Sequence, residues 1–164
     1  MSNRQLDSLD KQILSMIAED ARMPFLEVAR VCGVSGAAIH QRVQRLVNLG
    51  VVKGTQYVLD PEKLGYETCA YLGVYLSEPG RFDEITKEVE KIPEVVECHC
   101  ITGRFDMFVK IYARSNHHLL NIIHDRLQPL GLSRSETIIS FNSAFNRQLP
   151  VIDIKVEDSV EEDE

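Results

Sequence analysis

From Glu67 to Phe145 two kinds of periodicity alternate, and their order constrains the fold more than any other feature of the chain. ETCAYLGVYL (67–76) is β-prone, and residues 81–91 then put Phe82, Ile85 and Val89 on one helical face before Pro93. Strands are expected over 94–102 and 106–113, a helix over 116–127, and a last strand over 134–145. The order βαββαβ is that of the split-βαβ, ferredoxin-like arrangement, whose helices cover one face of an antiparallel sheet. A sheet with one wet face alternates cleanly, yet the first strand is apolar in both parities, with Cys69, Tyr71 and Tyr75 against Ala70, Leu72, Val74 and Leu76. The second face is therefore expected to be covered as well, by another copy of the chain packed sheet to sheet.

The first sixty residues follow a different plan. Leu6, Leu9, Ile13 and Ile17 recur at helical spacing, with Asp7 and Asp10 near the end that favours acids, giving a helix over about 7–19. Pro24 opens a second helix carrying Leu26, Val28 and Ala29, and Gly33 stops it. Ser35 is an N-cap for a third, with Ile39, Val43, Leu46 and Val47 as its apolar stripe and Gly50 just past its end. VVKGTQYVLD then holds two short β-prone runs about Gly54, expected as a small hairpin or wing, and Asp60-Pro61 marks the boundary. The expected class is α+β, with a winged helix-turn-helix over 1–60, a ferredoxin-like domain over 61–150, and an acidic, disordered tail over 151–164.

Net charge is −7, which argues against a polyanion partner until it is divided along the chain. Residues 1–60 hold seven basic and six acidic side chains, whereas residues 61–164 hold eleven and nineteen. Between Ala21 and Tyr57 the count is five basic to one acidic, so a basic surface is local to the helical part. No apolar run approaches the ~18 residues of a membrane span, and the N-terminus has no secretory h-region, so a cytoplasmic protein is expected. Cys32, Cys69, Cys98 and Cys100 show no CxxC pair and are expected to be reduced thiols. Cys98-His99-Cys100 looks like a chelate, but on a strand His99 points away from the two cysteines, so neither a metal nor a cofactor is expected.

FLEVARVCGVSGAAIHQRVQRL is a helix-turn-helix candidate. Ala29 lets the helices approach, Gly33 takes the turn, and Ile39 anchors the second helix. Gln41, Gln44, Arg45 and Asn48 lie opposite the apolar stripe, with Arg42 beside them. Ala37 and Ala38 leave the backbone free to approach a groove, and Ser35 with the helix N-terminus favours a phosphate. Gln41 suits adenine and Arg45 guanine. A solvated helix face would look the same, since arginine and glutamine are ordinary there.

These residues resemble a known family. LDSLDKQIL (6–14), EVARVCGVS (27–35), RVQRL (42–46), the GVVKG wing (50–54) and above all ITGRFD (101–106) are similar to the Lrp/AsnC (feast/famine) transcriptional regulators, over about residues 6–150. The resemblance implies a homo-oligomer, dimers assembling to tetramers or octamers, that binds double-stranded promoter DNA and a small amino-acid effector. It also implies that the effector lies between dimers near the turn Gly103-Arg104-Phe105-Asp106, facing hydroxyls that correspond to Ser135 and Thr137.

Where the family most often has an acid after the glycine, this chain has Arg104. Arg104 could bind an effector's carboxylate, or salt-bridge Asp106 and leave no amino-acid site. Asp106 could receive an ammonium group, or only tie down the hairpin. His117 and His118 read as surface residues. Two rival functions share the architecture: an enzyme like the siroheme decarboxylases, and an assembly module whose helix-turn-helix no longer binds DNA.

Overall fold

A computed structural model describes residues 6–151; the acidic tail expected over 151–164 lies outside the described residues apart from Val151. The described residues divide into a helical unit of residues 6–57 together with 146–151, and a unit spanning Val58–Phe145.

In the helical unit α1 is Ser8–Glu19, α2 is Phe25–Cys32 and α3 is Gly36–Asn48. Asp7 caps α1 in a reciprocal box: its Oδ1 accepts from Asp10 N at 2.7 Å, and Asp10 Oδ2 accepts from Asp7 N at 3.2 Å. Pro24 precedes the first residue of α2, and Gly33 ends that helix in the left-handed region at φ 68°. Ser35 Oγ accepts from Ala38 N at 3.2 Å and starts α3. Ile13, Val28, Ala29 and Ile39 close into one core, one each from α1 and α3 and two from α2. Leu26, one of the apolar residues of the second helix, and Val47, expected on the apolar stripe of the third, are exposed. Leu26 lies about 200° around its helix from Val28, and three short helices cannot cover every apolar position.

The wing does not form as a ribbon: residues 51–60 contain no strand, and Tyr57, Val58 and Leu59 stand exposed. Two runs of about three residues are too short to hold a two-stranded ribbon without a third strand or a surface to pack on.

In the second unit β1 (Thr68–Leu76), α4 (Phe82–Glu90), β2 (Val95–Cys100), β3 (Met107–Ala113), α5 (Asn116–Asn121) and β4 (Leu132–Ser140) follow in the expected order. The sheet is antiparallel in the order β2-β3-β1-β4. Ala70, Leu72, Val74 and Leu76 of β1 and Met107, Val109, Ile111 and Ala113 of β3 form its covered face. They pack on Ile85, Val89, Leu119, Ile122 and Leu127. The helix expected over 116–127 changes to π geometry at Ile122–Leu127. β4 ends at Ser140, short of the expected 145, and Phe141 is fully bare.

On the open face Tyr71 stacks on Phe108 at 5.7 Å and Tyr75 meets Phe105 edge-on at 5.3 Å. Lys110 donates to Glu97 at 3.0 Å, and Ile138 of the edge strand is exposed. Cys98 pairs with Val109 and Cys100 with Met107, while His99 pairs with Phe108, so His99 faces away from both thiols as expected for a strand. Among the described residues no helix is long and apolar enough to cross a membrane.

Candidate functional site

One long face of α3 carries Ala37, Ala38, Gln41, Arg42, Gln44, Arg45 and Asn48, and Asp7 borders it from the start of α1. The opposite side of the same helix is anchored by Ile39 and Leu46, both 0% exposed. Each such side chain adds on the order of 1.5–3 kcal/mol to holding the helix in place. Ser35 and Ala37 are exposed at the N-terminal end, so the backbone there is accessible, as it must be to approach a phosphate. Gln41 is exposed, and Gln44 Nε2 donates to Asn48 Oδ1 at 3.2 Å, one helical turn on. These amides are therefore committed at most to each other.

The two arginines are held differently. Arg42 Nη1 donates to Asp7 Oδ2 at 2.6 Å and to Asp10 Oδ1 at 2.9 Å, and Arg45 Nη2 donates to Asp10 Oδ2. Asp10 is 0% exposed, whereas the Arg45 side chain keeps 48% of its surface. The hydrogen bond from Arg42 holds the Asp7 carboxyl below its ordinary range, and Asp7 and Asp10 together raise the Arg42 guanidinium. The sequence reading placed Asp7 and Asp10 only as acids near a helix start. The one available signal was their spacing of three, which puts both at one end of a helix, but their arginine partners lie 32 and 35 residues away.

At the other candidate site Gly103 takes φ 110°, a conformation that favours glycine, and turns the chain from β2 into β3. Arg104 does not pair with Asp106. Its Nε donates to the Tyr75 hydroxyl at 3.0 Å and its Nη2 to Glu136 Oε1 at 2.6 Å, with 64% of the side chain exposed. Arg134 approaches the same Glu136 oxygen at 3.1 Å, so two guanidinium groups share one carboxylate. Asp106 ties down the β1 end of the turn: its Oδ2 accepts from Leu76 N at 2.9 Å, and its N donates to Val74 O at 3.0 Å. These two bonds give Asp106 a structural role in the turn. Phe105 lies over β1, against Gly73 and Tyr75.

Ser135 and Thr137 are not brought to Arg104. In the register of β4 against β1 they pair with Val74 and Leu72, on the helix-side parity, while Arg134 and Glu136 pair with Tyr75 and Gly73 on the open side. His117 is exposed; His118 Nδ1 accepts from Arg114 N at 3.2 Å, with Nε2 3.7 Å from Glu94. Among the described residues no cluster of histidine, cysteine and carboxylates could hold a metal.

Two family models match the chain. Residues 6–47 match the AsnC-type helix-turn-helix domain and residues 69–150 the Lrp/AsnC ligand binding domain. The regulatory protein AsnC of Haemophilus influenzae is 33% identical over 145 residues, 88% of this chain and 97% of that protein. The solved structure of Escherichia coli AsnC superposes with a TM-score of 0.83 at 27% identity, covering 89% of this chain and 99% of that one. A transcriptional regulator of Neisseria meningitidis, solved in complex with L-Met, shares the fold with a TM-score of 0.83 at 21% identity, over 90% and 97% of the two chains. The matched relatives are transcription factors and not enzymes. The chain belongs to the Lrp/AsnC family and is a sequence-specific DNA-binding transcriptional regulator.

Proposed function

We infer that this regulator reads promoter DNA through α3 and senses a small amino acid through the ferredoxin-like unit. The observation that carries the DNA reading is the two-sidedness of α3: Ile39 and Leu46 are sealed in the core while Ala37, Gln41, Gln44, Arg45 and Asn48 face outward. A narrow, small-residue N-terminal end followed by amides and guanidinium groups suits a major groove, with Ser35 and the helix N-terminus toward phosphate. Gel shift on genomic fragments tests it. Salt-sensitive retardation of a few fragments is expected, weakened by Gln41→Ala and Gln44→Ala; indifference to both substitutions would remove α3 as the reading element.

The effector reading rests on the Gly103–Asp106 turn, where Arg104 and Arg134 share only Glu136 and leave positive charge to receive a carboxylate. The Neisseria meningitidis regulator of the same fold carries L-Met, which supports an amino acid as the class of ligand. Ser135 and Thr137 lie on the other parity of β4, so one small ligand touches both sets only where a second copy completes the site. The half-buried aromatic open face supports the same homo-oligomer, packed sheet to sheet. An effector bound between copies would change assembly, and by linkage DNA must alter effector affinity by the same factor. Screening the twenty amino acids for a rise in melting temperature or a shift in sedimentation should find at least one ligand. A response unaffected by Arg104→Ala would exclude this turn as the site.

A further inference from the structure

We propose that Asp10, a buried residue of α1, is the positioning residue that sets the DNA specificity of α3 by fixing the guanidinium planes of Arg42 and Arg45. The inference rests on the reading of α3 as the DNA-contacting helix. Three observations carry it. Asp10 is fully buried, yet it is the meeting point of two arginines from α3, accepting from Arg42 at 2.9 Å and from Arg45 on its other oxygen. Asp7 adds a second acceptor for Arg42 at 2.6 Å, and the capping box locks the two carboxylates to each other's backbone N–H. Two carboxylates therefore face two guanidinium groups, and the cluster is charge-balanced.

Geometry then decides what each arginine offers DNA. A guanidinium carries five N–H donors in a rigid plane. With Nη2 of Arg45 engaged by Asp10, the remaining donors project from a plane whose tilt is set by α1. Arg45 keeps about half of its side-chain surface, so those donors are available to a base edge or a phosphate. An arginine free to swing would bind any phosphate within reach; one held in a fixed plane discriminates between base edges, because bidentate pairing needs alignment. Burial of the acid matters here, since an arginine paired with an exposed carboxylate would exchange it for water or phosphate. Asp10 thus lowers general affinity for polyanion by offsetting one of the two positive charges, and raises the discrimination made by the donors it leaves in a fixed plane.

The test compares the full-length wild-type protein with Asp10→Asn, on its best-bound genomic fragment and on a scrambled duplex of equal length. Asp10→Asn is expected to leave binding to the scrambled duplex unchanged or tighter, while the ratio of specific to non-specific affinity falls by about tenfold, the scale of one bidentate base contact. In an Arg42→Ala/Arg45→Ala background the Asp10→Asn effect on that ratio should largely vanish, because both residues it acts through are gone. Circular dichroism monitors the fold, and if Asp10→Asn does not fold, Asp7→Asn and Arg45→Lys carry the same comparison. Arg45→Lys keeps the charge but not the plane, and should lose the ratio as Asp10→Asn does. A variant that melts lower but keeps the wild-type ratio, or an equal effect with and without the two arginines, overturns the proposal. Loss of specificity in Gln41→Ala with none in these variants leaves α3 as the reading helix and removes only the role of Asp10.

Discussion

The ring of Phe105 lies so close over Gly73 that a Cβ on that glycine would stand 2.4 Å from its Cζ. The absence of a side chain in the middle of β1 is what lets the turn after β2 fold its aromatic residue down onto the sheet. There it also meets Tyr75 at 5.3 Å and Phe108 at 6.3 Å. Sheet and turn are thereby one packed unit on the open face.

Gly73→Ala must push that ring off its neighbours. We expect a loss of about 1–3 kcal/mol, the usual cost of overpacking, with the sheet itself retained. Adding Phe105→Ala should make the pair less destabilised than the sum of the two single changes, measured by urea unfolding. Strict additivity would mean that the ring is not held where it is seen.

Asp106 joins the turn to the end of β1 through Leu76 N at 2.9 Å. Asp106→Ala strands that partly buried donor and should cost about 1–3 kcal/mol. Asp106→Asn keeps an acceptor oxygen and should recover much of it. If Asp106→Asn folds like wild type but no longer responds to the amino acid, the negative charge is needed by the ligand and not by the turn.

Ser35 starts α3 by accepting from Ala38 N at 3.2 Å. Ser35→Ala should lower unfolding free energy by about 0.5–2 kcal/mol, and Ser35→Gly by only a few tenths. Because the same end of α3 is read as a phosphate contact, Ser35→Ala should also weaken specific and non-specific DNA binding by similar factors. A change in selectivity alone would contradict that assignment.

Glu97 and Lys110 pair across β2 and β3 at 3.0 Å, with His99 Nε2 3.5 Å from the same carboxylate and Tyr71 and Tyr112 about Lys110. The hydrogen bond from Lys110, and then its charge, hold the Glu97 carboxyl below its ordinary range despite partial burial. A depressed carboxyl contributes stability that is whole above its unfolded value of about 4.3 and is lost as pH falls through the lower folded value. The destabilisation by Glu97→Gln should therefore be present at pH 7 and close in acid below about pH 4. With Glu97 half exposed, its size should be under about 1 kcal/mol. Thermal melts across that range check both sign and window; a gap that widens in acid would mean that the pair does not act as drawn.

Much of this was written locally. The helical periodicity about Ile13, Val28 and Ile39, the cap at Ser35 and the stop at Gly33 are decided within a few residues, and so is the β-prone run of β1. Local signals also misled where a partner surface was needed. The runs about Gly54 have strand composition but form no strand among the described residues, and β4 ends five residues short of 145 although Phe141 and Phe145 resemble strand residues.

The tertiary structure decided what cannot be counted along the chain. Arg42 and Arg45 read as free hands for DNA until packing of α3 on α1 brought a buried carboxylate to them across more than thirty residues. Arg104 faced a choice of partners, and the register of β4 against β1 gave it Glu136. That same register put Ser135 and Thr137 on the opposite parity, because in a sheet a side chain's face is set by which residue it is paired with. Composition, caps and periodicity specified the elements; which charges meet depended on how those elements were set against one another, since an ion pair needs a distance of a few ångströms that only packing supplies.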